Sequence, residues 1–410
     1  MRMVGTAESV KKGGRRVGIY RMPGMDLWPN GQRCIYPSKN IPMKTTHSLA
    51  IAVLLATASL VAQAQILIGQ TSGFTGAVAA GVKESLAGAM LYLDRVNTKG
   101  GVGGQKIELL SMDDKFEPAL AAENARELIE KKNVVAMFLT RGTPHTEAII
   151  PWLNKYHVPL VGPSTGAMVL HQPVQKYIFN VRATYQHEAE KAITHQASIG
   201  LSKIAVLYTD DSFGADGLAG AQKGLKTAHL EAVGLYKFDR SKPDFTSLAP
   251  AIVQAGAQSV LLVASGTSAV AAIEALRAAG STAQYVTLSN NATTGFIAAL
   301  GGNARGVIVS QVFPQSQSYA LVKEMVDAAH AKGLADTSPA MLEGFSAAKV
   351  LVEALRRTGG KPTRERLQAA LEGMDKFDLG GLAIGYSPTN HTGLDFADLS
   401  IIGSDGKFRR

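Results

Sequence analysis

The sequence predicts an α/β fold made of two doubly wound parallel-sheet units in tandem, and three observations lead there. Short runs rich in Val, Ile and Leu alternate with longer segments of helical periodicity from residue 66 onward. The short runs are apolar throughout rather than alternating, as expected of strands covered on both faces by crossover helices. The series then restarts at "KIAVLY", residues 203–208, which makes a second unit of the same kind.

Taken in order, strands are expected at 66–69, 107–112, 134–139 and 158–161, with helices at 85–96, 119–131 and 144–156 between them. The second series has strands at 203–208, 259–263, 285–288 and 306–309. Its helices fall at 214–228, 246–255, 267–279 and 293–300. Helices at 318–333 and 339–358 follow, and the chain closes on β-like runs near 382–386 and 399–402. A mixed tail after two similar units implies that the chain crosses between them more than once. A ligand is then expected in the cleft between units, outside the carboxyl ends of the strands.

The chain has 410 residues, 46% of them hydrophobic, enough for two cores. Its formal charge of +9 is unevenly placed. Residues 1–64 carry a net +7, leaving only +2 for 65–410, so the body has no charge excess to hold nucleic acid.

The segment "MKTTHSLAIAVLLATASLVAQAQ", residues 43–65, joins Lys44, an apolar run from 49 to 62 and a small-x-small triplet ending at Ala64. This is the pattern of a secretory signal peptide, 43–64, cleaved after Ala64. Gln65 follows, so no lipid-anchoring cysteine stands at the new terminus, and a periplasmic protein is expected. Residues 1–42 lack periodicity and would bury the signal, which points to translation from Met43. Arg15-Arg16 lie too far from the apolar run for a twin-arginine signal. Cys34, the one cysteine, falls in this leader, so the mature chain is expected to hold together without disulfides.

The stretch "NTKGGVGGQKIELLSMDDKFEP", 97–118, packs glycines and adjacent aspartates. A phosphate cradle needs strand, then glycines, then helix, and here the order is reversed. Gly100 and Gly101 are expected to end the preceding helix with positive φ, and the rest to turn into the next strand. Asp113 and Asp114 have no third ligand at metal spacing, and the other histidines show no metal-binding spacing, so no metal or other cofactor is expected.

The same stretch, as "VNTKGGVGGQKIELLSMDDKFEPALAAENARELI", together with "VPLVGPSTGA", "FNVRATYQHEAEKA", "IAVLYTDDSFGADGLAGAQKGL" and "VLLVASGTSAVAAIEALRAAG", resembles the type I periplasmic solute-binding proteins of ABC importers, in the group that binds leucine, isoleucine and valine. The ordered set spans nearly all of 65–410. The resemblance implies two lobes, 65–183 plus 314–388 and 184–313 plus 389–410, joined by a multi-strand hinge that closes over a small solute. It implies a monomer that delivers that solute to an inner-membrane ABC permease, or, as an alternative role, a sensor that reports it to a receptor.

Within that resemblance, Thr143 and Pro144 in "RGTPHTE" open a helix with Thr143 as N-cap, a clamp for a carboxylate. Ser164, Thr165 and Gly166 in "GPSTG" form a facing shelf. Tyr185 packs on the ligand, Phe213 closes one wall, and Ser265, Thr267, Ser289 and Asn290 come from the second lobe. Three positions depart from the family pattern. Ser289 stands where amino-acid binders place an acid on the ammonium, Ala80 replaces a tyrosine, and Gly166 replaces a threonine. Either Asp210 or Asp211 then meets the ammonium, or the ligand has none. The ligand expected is a small carboxylate-bearing solute, a branched-chain or other amino acid or an aromatic or organic acid.

"GPSTG" also fits the G-x-S-x-G nucleophile elbow with Ser164 as nucleophile. That reading needs a full helix after the serine and a histidine base from His187, His195 or His229. His145 and His157 are expected to be solvated or satisfied in the core. Trp152 is expected to serve packing, and the basic run after residue 353 to be a solvated helix end.

Overall fold

The computed structural model describes residues 65–409, so the leader, the expected signal peptide and Cys34 lie outside it. Two parallel-rich sheets organise the chain. In the first, β1 (Ile66–Ser72), β2 (Ile107–Asp113), β3 (Ala136–Phe138), β4 (Leu160–Val161) and β5 (Ile178–Phe179) lie in the order β2-β1-β3-β4-β5, all parallel. Its helices are α1 (Ala79–Thr98), α2 (Pro118–Glu130) and α3 (Thr143–Tyr156).

After β5 the chain passes to the second sheet through α4 (Tyr185–Ser198). There β6 (Ile204–Thr209), β7 (Ala232–Phe238), β8 (Ser259–Val263), β9 (Gln284–Thr287) and β10 (Ile308–Gln311) are parallel. They alternate with α5 (Ser212–Thr227), α6 (Leu248–Gln254), α7 (Thr267–Ala278) and α8 (Thr294–Leu300). The chain then returns to the first half as α9 (Ala320–Ala331), α10 (Pro339–Arg357) and α11 (Arg364–Glu372), with the small hairpin β11 (Phe377–Asp378) and β12 (Ala383–Ile384). It crosses once more to add β13 (Asp398–Ile402) and β14 (Phe408–Arg409), antiparallel, to the edge of the second sheet.

The crossing segments are stitched to each other. Asn180 N–H donates to His391 O at 3.0 Å, Leu394 N–H to Val181 O at 3.0 Å, and the Tyr386 hydroxyl to Asn180 O at 2.7 Å. These bonds hold the crossing segments together where the chain passes between the halves.

Helix α10 is buried on nearly every face, and even Glu343, Ser346 and Lys349 on its polar stripe are covered. It packs on α1 through small residues. A Cβ on Gly88 would lie 1.8 Å from Met341 O, and one on Gly344 1.8 Å from Ser85 O, so only glycine permits this backbone approach. The glycine connector behaves as expected. Gly100 and Gly101 have φ of +96° and +76°, Gly101 N–H bonds Val96 O at 2.9 Å, and Val102 bridges Gln105.

One surface expectation fails. The basic run after residue 353 is not a single solvated helix end but α10, a turn and α11. Arg364 at the start of α11 donates to Val134 O at 3.0 Å, Ile129 O at 3.2 Å and the Asn133 side chain at 3.1 Å. It thereby satisfies carbonyls left open at the C-terminal end of α2.

Candidate functional site

The carboxyl ends of β1, β3, β8 and β9 face one another across the space between the sheets, and the residue that joins them is Arg141. It follows β3, is 4% exposed, and donates from Nη1 to the Ser164 hydroxyl at 3.2 Å and from Nη2 to Asn290 O at 2.7 Å. Ser164 belongs to the first half and Asn290 to the second, so one guanidinium spans both. No carboxylate lies within 4 Å of it among the described residues. Burial pushes Arg141 below its ordinary value; Tyr185 and the more distant Glu343 carboxylate oppose the shift, and Arg182 and Arg240 add to it.

Two small spaces meet at this side chain. One, of about 70 Å³, is walled by Ala77, Ala80 and Gly81 from the first half and by Val270, Asn291 and Phe296 from the second. That is room for roughly five or six water-sized spheres. The other is a narrow polar crevice lined by Gln70, Ser72, Ser85 and Ser164. In it the buried hydroxyls of Ser72 and Ser85 lack any hydrogen-bond partner, as does that of Thr140, next to Arg141 in the chain. Buried hydroxyls are seldom left so in a completed site.

The predicted residues take the following places. Thr143 is not the N-cap; Gly142, with φ +96°, is, and Thr143 is the first helical residue. A left-handed N-cap needs glycine, which moves the threonine one step inward. Its hydroxyl shares a hydrogen bond with that of Thr165 at 2.8 Å and is therefore not free. Pro144 takes the second helical position, where its missing N–H is no loss. Gly166 gives its carbonyl to Tyr185 N–H at 2.8 Å, and a Cβ there would lie 2.5 Å from Ala183 O. The threonine of the family pattern has no room at that position.

Tyr185 is the first residue of α4, 2% exposed, and meets Phe213 edge-on with ring centroids 4.9 Å apart. Phe213 is buried, with the Arg240 guanidinium 5.7 Å from its ring centre. Ser265 accepts from Asn290 Nδ2 at 2.9 Å, and Thr267 opens α7 with its N–H on Ala77 O at 3.1 Å, across the cleft. Ser289 and Asn290 lie in a short 3₁₀ turn after β9, and Asn290 Oδ1 is buried without a partner.

Ser289 is engaged with a second arginine. Arg182 Nη2 donates to its hydroxyl at 2.6 Å and pairs with Glu188, which also accepts from Ser289 N–H at 2.9 Å and from the Ser310 hydroxyl. Burial works against the Arg182 charge, but Glu188, Tyr185 and Glu343 together outweigh it and hold its pKa above the ordinary value. Neither aspartate offered for an ammonium is available. Asp211 caps α5 through Gly214 N–H at 3.0 Å and pairs with Arg240 Nη2 at 2.6 Å, while Asp210 is an exposed partner of Lys237 at 3.1 Å.

The other candidates resolve by geometry. Ser164 is followed by a 3₁₀ turn, Met168–Leu170, not a helix, and its hydroxyl partner is Arg141 rather than an imidazole. That arrangement leaves nothing to take a proton from Ser164, contrary to the nucleophile reading. His145 is buried against the Phe116 ring, centroids 4.2 Å apart, with neither ring nitrogen hydrogen-bonded, so it is neither solvated nor satisfied. Desolvation lowers its pKa to about 4. His157 is the left-handed C-cap of α3, and Trp152 is half-buried against the first half's core. No cluster of three metal-ligating side chains occurs among the described residues. None of the described helices is long and apolar enough to cross a membrane.

Sequence reasoning passed over Arg141, although it quoted the segment that contains it. The available signal was position: an arginine directly after a buried strand and before a Gly-Thr-Pro helix start lies at the mouth of the sheet, where ligands bind.

A two-sheet α/β body with a space walled by both halves beside a buried arginine, and a triple crossing of the chain, defines a solute-binding class. The family model described as periplasmic binding protein matches residues 65–398, and the chain belongs to that family. Among curated relatives, an amino acid binding protein of Pseudomonas aeruginosa is 25% identical over 285 residues, covering 67% of this chain and 74% of that one. A Leu/Ile/Val-binding protein homolog 7 of Brucella suis is 30% identical over 226 residues, 52% of this chain and 55% of that one, so that match spans about half the relative's length. The crystal structure of a substrate-binding periplasmic protein from Ralstonia solanacearum is 30% identical with a TM-score of 0.77, covering 84% of this chain and 99% of that one. A Thermus thermophilus branched-chain amino acid transporter protein with bound valine (19%, TM-score 0.75, covering 85% and 95%) and an R. palustris solute-binding protein with benzoate (19%, 0.76, 84% and 95%) share the fold.

Proposed function

We propose that this chain is the periplasmic solute-binding component of an ABC importer and that it captures a small carboxylate-bearing solute by closing its two halves over it. The observation that carries the reading is Arg141, a buried cation without a carboxylate partner, held by one half through Ser164 and by the other through Asn290 O. A buried charge of this kind is stable only when something of opposite sign completes it. A ligand carboxylate does so. Because the arginine touches both halves, its occupant favours the closed state over the open one, which is what ligand-driven closure requires.

The domain division 65–183 plus 314–388 and 184–313 plus 389–410, the export signal at 43–64, the monomeric state and delivery to an inner-membrane permease belong to the same proposal. Solved structures of like fold hold valine or benzoate, both carboxylates, which supports a carboxylate-bearing ligand. A thermal-shift screen of the chain from Gln65 onward against amino acids, aromatic acids and small dicarboxylates tests it. Stabilisation by at least one carboxylate is expected, and no response to any would overturn the reading.

A further inference from the structure

We infer that the solute carries its carboxylate without an α-ammonium, so that the site takes a small organic acid with an apolar body rather than an amino acid. The inference rests on the carboxylate reading above and narrows it. Neither space that meets Arg141 has an aspartate or glutamate in its lining. An ammonium placed there would sit beside a guanidinium with no anion to offset it, whereas a carboxylate alone is paired at once.

The acids nearby are already committed. Glu188 is bound by Arg182, Ser289 and Ser310. Glu84 caps α8 through Thr294 N–H at 3.1 Å and Gly295 N–H at 2.8 Å, Glu147 accepts from Ser212, and Asp211 pairs with Arg240. Asp113 holds Thr75 and Lys115 N–H, and Asp114 holds Thr71 and Phe116 N–H. Among the described residues, two carboxylates keep a buried oxygen without a hydrogen-bond partner, Asp216 and Glu343. Asp216 accepts from Met168 N–H at 3.1 Å and Gln186 Nε2 at 2.8 Å and lines neither space at Arg141. Glu343 stands 3.8 Å from Arg182 and borders a separate space of about 10 Å³ beside Ser289 and Gln311. Arg141 does not line that space, so a ligand whose carboxylate is on Arg141 does not place its ammonium there. The walls beyond Arg141, Ala77, Ala80, Val270 and Phe296, ask for an alkyl or small aromatic body.

Matched pairs test this by titration calorimetry: leucine against 4-methylpentanoate and phenylalanine against 3-phenylpropanoate, with benzoate and its neutral analogue benzamide alongside. The des-amino member is expected to bind at least about tenfold more tightly than its amino acid, and benzamide at least about tenfold more weakly than benzoate. An amino acid that binds as well as or better than its des-amino partner overturns this inference and leaves the carboxylate reading standing. In that event Glu343→Gln should weaken the amino acid and not the acid, placing the ammonium on Glu343. If no member of either pair binds, nor benzoate, both the inference and the carboxylate reading fail.

Discussion

Arg141 Nη2 lies 2.7 Å from Asn290 O, and this bond joins the strand end of one sheet to the turn beyond the strand end of the other. The molecule has two buried arginines in this region with opposite surroundings. Arg182 is paired with Glu188 and faces Glu343, while Arg141 has only neutral oxygens.

Their truncation should therefore differ. Arg182→Met leaves Glu188 buried without its cation and is expected to destabilise the unliganded protein by about 3–5 kcal/mol. Arg141→Met removes an uncompensated charge, offset by the bond Asn290 O loses, and should leave unliganded stability within about 1 kcal/mol of wild type. Urea denaturation of both variants checks the contrast.

Gly166→Thr restores the residue of the family pattern and should fail to improve anything. With Ala183 O 2.5 Å and Tyr185 N 2.9 Å from the added Cβ, the start of α4 must shift. A loss of about 1–3 kcal/mol is expected by thermal denaturation, with weakened binding from displaced Tyr185.

Asp114 is fully buried between Thr71 and Phe116 N–H, and desolvation raises its pKa to about 6. A raised carboxyl pKa means that the folded state holds this proton more tightly than the unfolded chain does. Its contribution is therefore present below about pH 4 and is lost as pH rises through about 6. The loss is on the order of 2–3 kcal/mol. Asp114→Asn should be more stable than wild type at pH 7.5, and the difference should vanish near pH 4, as read by stability curves at the two pH values.

Glu84 reaches from α1 across the cleft to cap α8, accepting from Thr294 N–H, Gly295 N–H and the Thr294 hydroxyl at 2.8 Å. The contact joins the two halves, and on the closure reading it is lost when they part. Glu84→Ala should speed ligand release about three- to tenfold in stopped-flow displacement and change the unliganded melting temperature little.

Much of this was readable from sequence, for reasons that also explain what was not. Central strands such as 204–209 and 259–263 are covered on both faces and so print continuous apolar runs. Strand β7 lies at the sheet edge with alternating exposure, and "AVGLYKF" interrupts its apolar run with Gly and Lys. Strand β5 is two residues long, too short for a period, whereas the equally short β4 fell within the strand expected at 158–161. Helix α4 is polar enough, "YQHEAEKAITHQAS", that Tyr185 drew notice as a ligand contact before the helix it begins. The shelf at Ser164 and the turn at Ser289 and Asn290 were placed correctly at strand ends. Their partners were not legible, because Arg141 and Arg182 are single charged residues whose burial only the packing of two distant sheets creates.

The most direct test is calorimetric titration of wild type and Arg141→Met with benzoate, 4-methylpentanoate, 3-phenylpropanoate and succinate. At least one should bind wild type with one-to-one stoichiometry, and its affinity should fall about a hundredfold or more in a variant that keeps wild-type stability. A carboxylate that binds both proteins equally well would contradict the account.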